Sequence, residues 1–421
     1  MIYLDNNATT RPTPAVVEAV TGALNDHWHN PSSIHRPGQA ARAQVELSRG
    51  KFAQLLGVRP RELSFTSGGT ESIDLAIRGL IGAFLGSPQR SKPGPAPLLI
   101  TSAIEHSAVR DLAAELERRG EATVAYVEVN LDGTVDPDSL AALLQTNRAQ
   151  APARAAIVSL QWANNETGAV QPIEAFHQIC RDQGALLHCD AVQWIGKCPA
   201  HTPALLMPLT VTHRHREDHS PTAVLPCDLL TCSAHKFHGP KGVGLLWARA
   251  GVRLRPTLLG TQELGRRAGT ENVPGIIGAG VAAMEAAAWI ADASAISRQA
   301  ALRTRFENAV LAACPASHIN GPTDERRLWN TTNIAFPSLE AEAVLLGLSE
   351  AGVCASAGAA CSSGSLDPSP VLLAMGVTTA SAHGSIRFSL SRSTTPEEVD
   401  AAVPIIAKVV ARLRRVMPVG S

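Results

Sequence analysis

The stretch TCSAHKFHGPKG, residues 231–242, sets Lys236 directly behind a histidine, where an apolar run gives way to Gly239, Pro240 and Gly242. Lysine ordinarily keeps its ammonium in water. One held in a pocket can shed its proton and act as an amine nucleophile toward a carbonyl cofactor. Asp190, in HCDAVQ (residues 188–193), ends another apolar run. A carboxylate there can pair with a protonated ring nitrogen, the way pyridoxal phosphate is held as an electron sink, with Gln193 in reach of the ring's phenolic oxygen. Asp190 can equally cap the segment that follows it. In FTSGGTES (65–72) a strand runs through Ser67, Gly68 and Gly69 into a helix starting near Thr70. Glycine backbone and a helix N-terminus together suit a phosphate. The G-x-G-x-x-G and GK[ST] spacings are missing, which disfavours Rossmann and Walker binding. His106, in TSAIEHSAV, lands at the carboxyl end of a further strand, where its imidazole could stack on a flat ring and trade protons, or be a satisfied core histidine.

These residues need a scaffold that gathers strand ends. From roughly residue 14 to 250, short apolar or β-branched runs (PLLITS, TVAYVEV, AAIVSL, ALLHCDA, DLLTCSA, GVGLLWAR) alternate with stretches of helical period such as TESIDLAIRGLIGAFL and PIEAFHQICRDQG. That alternation predicts a mostly parallel sheet covered by helices, with ligands at the carboxyl ends of its strands. After about residue 291 come TTNIAFP, the helical EAEAVLLGLSEAG, a Ser/Gly/Ala-rich loop, SIRFSLS and a final helix, which predict a smaller α+β domain. The expected division is a large domain over 16–291 and a small one from 1–15 and 292–421.

Composition bounds the function classes. The 421 residues are 45% hydrophobic and 18% charged, ordinary for a soluble enzyme. Lys plus Arg and Asp plus Glu are 37 each, so no global field favours nucleic acid or an anionic membrane. The opening MIYLDNNATT lacks the basic and apolar regions of a signal and reads as a first strand. VPGIIGAGVAAMEAAAWIADA is the best membrane-spanning candidate, but its Ala/Gly richness and Glu285 favour a buried helix. Eight scattered cysteines without a Cys-x-x-Cys pair point to reduced thiols in a cytosol-like compartment and against structural zinc. His213, His215 and His219 crowd together in the irregular segment 200–226, but no adjacent strand or helix would fix their rings, so a solvated insertion is expected and no metal.

YLDNNATT, FTSGGTES, EHSAV, NNETG, HCDAVQ, SAHKFHGPKG, RRAGTENV, GAACSSGSLDPSPVL and SIRFSLSRSTT occur in the order found in cysteine desulfurases of the NifS/IscS type, and the chain resembles that family over nearly its whole length. The resemblance implies a fold-type I enzyme of the class-V aminotransferases, α/β, with a mostly parallel seven-stranded sheet in the large domain. It implies pyridoxal 5′-phosphate joined to Lys236, Asp190 on the ring nitrogen, Gln193 on the ring oxygen and His106 over the ring as proton donor. Gly69, Thr70, Ser233 and His235 would hold the phosphate, joined by Thr270 from the second subunit of a homodimer. Asn165 and Arg387 would clamp L-cysteine, the guanidinium gripping its carboxylate. Cys361 matches the family's nucleophile, which takes the sulfur as a persulfide and hands it to an acceptor protein such as an iron–sulfur scaffold, in the cytoplasm.

The Ser/Gly-rich surroundings of Cys361 suit a mobile loop, whereas Cys354 lies in an apolar stretch and reads as an inert thiol. Cys189, Cys198, Cys227 and Cys232 match no family role and read as packing. The run LLGTQELGRR (258–267) departs from the family, with Leu259 and Thr261 where glycine is common and Leu264 where arginine is common. Rival readings are a selenocysteine lyase, another pyridoxal-phosphate enzyme such as an aminotransferase, and a non-catalytic sulfur-relay partner.

Overall fold

The computed structural model describes residues 1–86, 95–200, 225–358 and 367–416. Cys361 and most of the 200–226 insertion, with its three histidines, lie outside the described residues. From the N-terminus, β1 (Ile2–Tyr3), α1 (Pro14–Asp26) and α2 (Arg36–Leu56) precede β2 (Leu63–Thr66), α3 (Gly69–Leu85), β3 (Leu98–Ser102) and α4 (Ser107–Arg118). Then come β4 (Thr123–Val127), α5 (Pro137–Gln150), β5 (Ala156–Gln161), α6 (Ile173–Gln183), β6 (Leu186–Asp190), β7 (Leu229–Ser233) and β8 (Gly244–Ala248). The remainder is α7 (Val273–Ile290), α8 (Ala293–Ala313), β9 (His318–Asn320), β10 (Thr331–Ala335) and α9 (Ala341–Glu350). The chain closes with β11 (Val353–Cys354), α10 (Pro370–Ala374), α11 (Thr379–His383), β12 (Ser385–Ser389) and α12 (Pro396–Val416).

The chain forms two compact units, one of Met1–Arg11, Arg90–Ala185 and Asp292–Ser421, the other of Pro12–Gln89 and Leu186–Ala291. In the first, β5, β3 and β4 pair in that order, all parallel, with Leu98 opposite both Ala156 and Thr123. Strands β5 and β3 are buried throughout, as unbroken apolar runs in a parallel sheet should be, while β4 shows the partial exposure of an edge. The same unit holds an antiparallel β12–β10–β9 sheet and the short parallel pair β1–β11. Phe306 of α8 meets Phe388 of β12 edge to face beneath that antiparallel sheet.

In the second unit the order is β2–β8–β7–β6. Strands β6 and β7 are parallel, and β8 runs antiparallel to both its neighbours. Only residues 234–243 connect β7 to β8, too few for the helical crossover that a parallel return needs. Two reversals restore direction, so β2, β7 and β6 all end at the same edge. Helix α7 is the one described helix long and apolar enough to cross a membrane, yet 56% of it is buried. It packs on α1 and α2, and its Glu285 accepts a hydrogen bond from Thr13.

The outer edge of β2 is closed by side chains. Phe65 N–H donates to Glu263 Oε2 at 2.8 Å, and Arg49 Nη1 donates to the Leu63 carbonyl at 3.2 Å. Arg49 and Glu263 also pair with each other through two bonds of 2.7 and 2.9 Å, both side chains buried. This closure gives the run 258–267 one fixed point, Glu263. Glu263 and Leu264 take left-handed backbone (φ 48° and 60°), costly for any residue but glycine, where the Glu263 carboxylate accepts three hydrogen bonds from Arg49 and the Phe65 amide. Glu263→Ala should leave the Phe65 amide buried without that acceptor and Arg49 with only Glu46 and the Leu63 carbonyl, and destabilise the protein by about 3 kcal/mol. A fall in the urea midpoint checks this; an unchanged midpoint would mean the edge is closed by something else.

Candidate active site

Strand pairing places Thr66, Gly244 and Ser233 side by side across β2, β8 and β7. Gly244 has to be glycine, since a Cβ there would lie 2.4 Å from the Gly68 backbone. The loop 67–69 therefore folds over the start of β8 and delivers the N-terminus of α3 to the row. A Cβ on Gly69 would come 2.9 Å from Val192 and 3.8 Å from Ser233. Glu71, in the first turn of α3, accepts from the Ser67 amide at 2.7 Å and pairs with Arg267. Burial works against that carboxylate, but these bonds hold it below the usual carboxylate range.

Asp190 closes β6 beside Thr231 of β7. Its Oδ1 accepts from the Val192 amide at 3.0 Å, which folds the turn after β6; no helix follows directly for it to cap, and the carboxylate is buried at the strand end. Lys236 sits in the 3-10 turn Ala234–Lys236 that follows β7 directly. That turn is fixed by the next residue. Phe237 is buried against Phe52 and fills the space left by Gly196, where a Cβ would approach it to 2.4 Å. Gly196 has a φ of +80°, which glycine alone adopts freely. His235 is kept neutral down to about pH 4 by burial and by Lys236, Lys241 and Lys197. Gln193 accepts from Lys197 Nζ at 2.6 Å. Thr70 and Thr270 are exposed, and Thr270 lines a small cavity with Ser67, Gly242 and Arg267.

These residues fit a phosphorylated, ring-bearing cofactor. The Ser233 hydroxyl is buried with no hydrogen-bond partner among the described residues, at the spot where Gly69 brings the free amides of α3. A buried hydroxyl without a partner is costly, and an anionic oxygen between Ser233 and the helix N-terminus would satisfy both.

His106, Asn165 and Arg387 belong to the first unit. His106 Nδ1 accepts from the Ala108 amide at 3.1 Å, which caps α4 and leaves the neutral ring's proton on Nε2. Arg387 is 2% exposed. Its Nη2 pairs with Asp5 at 2.7 Å and its Nη1 donates to the carbonyls of Asn165 and Gly358, while Nε has no partner among the described residues. Sequence reading passed over Glu166, Asp5 and Lys197. Glu166 is wholly buried, accepts from Ser369 at 2.6 Å, and is pushed above the usual carboxylate range by that burial, against the pull of Ser369, Arg387 and Arg110. Its place in NNETG was the available signal; Asp5 and Lys197 offered none that spacing alone could read.

The described thiols are poor nucleophiles where they titrate abnormally. Burial pushes Cys198 and Cys232 up to about 12, and Cys314 upward as well. Cys189 and Cys227 are buried and Cys354 is half-buried. No group of His, Cys, Asp and Glu able to hold a metal occurs among the described residues.

Residues 2–211 and 217–402 match the aminotransferase class-V family model. A cysteine desulfurase of Nostoc sp. is 44% identical over 419 residues, covering 99% of this chain and 95% of its own. One from Cereibacter sphaeroides is 41% identical over 423 residues, covering 100% of this chain and 98% of its own. Among solved structures, a NifS-like protein superposes with a TM-score of 0.82 at 34% identity, over 98% of this chain and 100% of its own. The NifS-like protein from Rickettsia africae gives 0.80 at 30% identity, over 98% and 99%.

Burial also holds His188, two residues before Asp190, down at about 3, against 6.5 for an ordinary histidine. Between those values the unfolded chain binds a proton that the folded one does not, so stability falls as pH drops below 6.5. From pH 7 to 5 the loss from His188 should be about 2 kcal/mol. Urea midpoints at the two pH values measure it; His188→Gln should remove that share of the drop, and an equal drop in the variant would reassign it.

Proposed function

The chain belongs to the class-V aminotransferase family and is a pyridoxal-phosphate-dependent cysteine desulfurase of the fold-type I class, and on that basis we propose how its own residues convert L-cysteine to L-alanine and pass on the sulfur. What carries the reading is the convergence at one strand edge of the unpartnered Ser233 hydroxyl, the α3 N-terminus at Gly69, and Asp190, with Lys236 in the turn that leaves the same strand as Ser233.

The cofactor supplies an aldehyde for covalent attachment and a ring that accepts electrons. Lys236 provides the amine that holds the aldehyde and, once released, takes the substrate's α-proton. Asp190 carries the negative charge that keeps the ring nitrogen protonated, and Gln193 binds the ring oxygen. Ser233, His235, Thr70 and the Gly69 amide hold the phosphate. His235 does so as a neutral imidazole donating a single N–H, consistent with its depressed pKa. Thr270, exposed on the surface, serves the phosphate of a second subunit in a homodimer. Large apolar side chains exposed in the same unit, among them Trp28, Ile34, Leu259 and Leu264, support such a partner.

Arg387 grips the substrate carboxylate together with Asn165, its guanidinium held flat by Asp5. His106 moves a proton through Nε2. Cys361 takes the sulfur: its sulfur bonds to that of L-cysteine, the substrate's carbon–sulfur bond breaks, and a proton delivered to that carbon completes L-alanine, leaving a persulfide on the enzyme. Cytoplasmic acceptors such as an iron–sulfur scaffold receive it.

Lys236→Ala should lose the visible absorbance of the attached cofactor and form alanine about 10²–10⁴-fold more slowly. Cys361→Ala should keep that absorbance and bind cysteine, yet yield neither persulfide nor sulfide. Alanine assays and thiol-trap peptide mapping decide it: undiminished sulfide release from Cys361→Ala overturns the nucleophile.

A further inference from the structure

Lys197 is 4% exposed and Gln193 6%, and the lysine's Nζ donates to Gln193 Oε1 at 2.6 Å. An ammonium has hydrogens and no lone pair, so the amide atom that faces it is the oxygen. A glutamine among neutral neighbours can turn over and offer either end. Here it cannot: with its oxygen held by the ammonium, the –NH₂ end is turned away from Lys197 and can only donate. Burial strengthens the bond, because a charged donor in low dielectric polarises the amide it holds and makes the far N–H groups better donors.

The placement of this pair is equally fixed. Gly196, adjacent to Lys197, is the residue against which Phe237 packs, and Phe237 follows Lys236 directly. The charge of Lys197 is felt at His235 on the other side of that turn. A buried cation is retained at a cost, and at this point in the fold it would act on whatever Gln193 touches.

Resting on the assignment of Gln193 to the ring oxygen, we propose that Lys197 is a positioning residue, which locks Gln193 as a donor and so holds the cofactor's phenolic oxygen in its anionic form. Donation to that oxygen, together with a nearby positive charge, disfavours a proton on the adjacent nitrogen that joins the cofactor to the enzyme. The bound chromophore should therefore titrate at lower pH than it would without Lys197.

The test is a spectroscopic pH titration of the holoenzyme, alongside the affinity of the apo form for pyridoxal phosphate. Lys197→Met should raise the chromophore's pKa by about one unit and weaken cofactor binding about tenfold. Gln193→Glu, which keeps a partner for Lys197 but cannot donate, should raise the pKa as well. Lys197→Gln, whose amide can meet Gln193 at either end, should give a smaller shift in the same direction, and serves if the methionine variant does not fold. Adding Lys197→Met to Gln193→Leu should shift the titration no further than Gln193→Leu alone. Lysine variants that titrate as the wild type would leave Lys197 a structural residue and overturn the proposal. So would a Lys197→Met shift that persists at full size in the Gln193→Leu background, because the charge would then act without the glutamine. A wild-type protein that takes up no pyridoxal phosphate would overturn the cofactor reading itself, a result the variants cannot mimic.

Discussion

One missing side chain organises the second unit. The 2.4 Å between the Cβ that Gly244 lacks and the backbone of Gly68 is a distance no other residue tolerates. Because that space is empty, the loop after β2 lies across the start of β8 instead of passing above it. The N-terminus of α3 is thereby lowered onto the ends of β7 and β6, beside Ser233 and Val192. Strand polarity does the rest. With β8 reversed, three carboxyl ends share an edge, so a helix N-terminus, a carboxylate and a lysine-bearing turn are gathered by backbone hydrogen bonding before any side chain interacts.

Buried charges in each of the two units are paired in a consistent manner. Arg49 with Glu263, Arg387 with Asp5 and Lys197 with Gln193 each place a cation against an oxygen at 2.6 to 2.7 Å. The first of these closes a strand edge and has no chemistry to perform. The other two orient groups whose remaining hydrogen-bonding capacity faces elsewhere. Burial acts the other way on neutral groups: His188 and His235 stay neutral well into the acid range, and Cys198 and Cys232 stay protonated. Basic and nucleophilic character is thus confined to a few positions rather than spread over the interior.

Much of this was legible in the sequence because it is local. Apolar runs gave the strands, and the residue types at the ends of two of them, Asp190 and Ser233, already marked one edge of the second unit. The short link HKFHGPKG was too brief for a crossover, so even the reversal of β8 was implicit in it. What could not be read depends on partners far along the chain. Asp5 lies 382 residues from Arg387, and Glu263 lies 214 from Arg49. Within the run 258–267 the left-handed backbone at Glu263 could not be read for the same reason: the groups that hold its carboxylate, Arg49 and the Phe65 amide, lie far along the chain. Asp190 was ambiguous between cap and ring partner because a carboxylate at a strand end suits either role, and only the fold reveals that a turn and no helix follows it.

The ion pair between Asp5 and Arg387 has a consequence for biosynthesis. Strand β1 finds its partner β11 about 350 positions later, and the Asp5 carboxylate waits still longer for its guanidinium. A ribosome that has completed everything through β11 has not yet supplied the arginine. The second unit, whose segments are all made by residue 291, can settle during translation, whereas the first must keep its leading segment unpaired until the last tenth of the polypeptide emerges. Nascent chains cut short anywhere before β12 therefore lack the guanidinium that Asp5 pairs with, and the first unit can close only when the polypeptide is nearly complete.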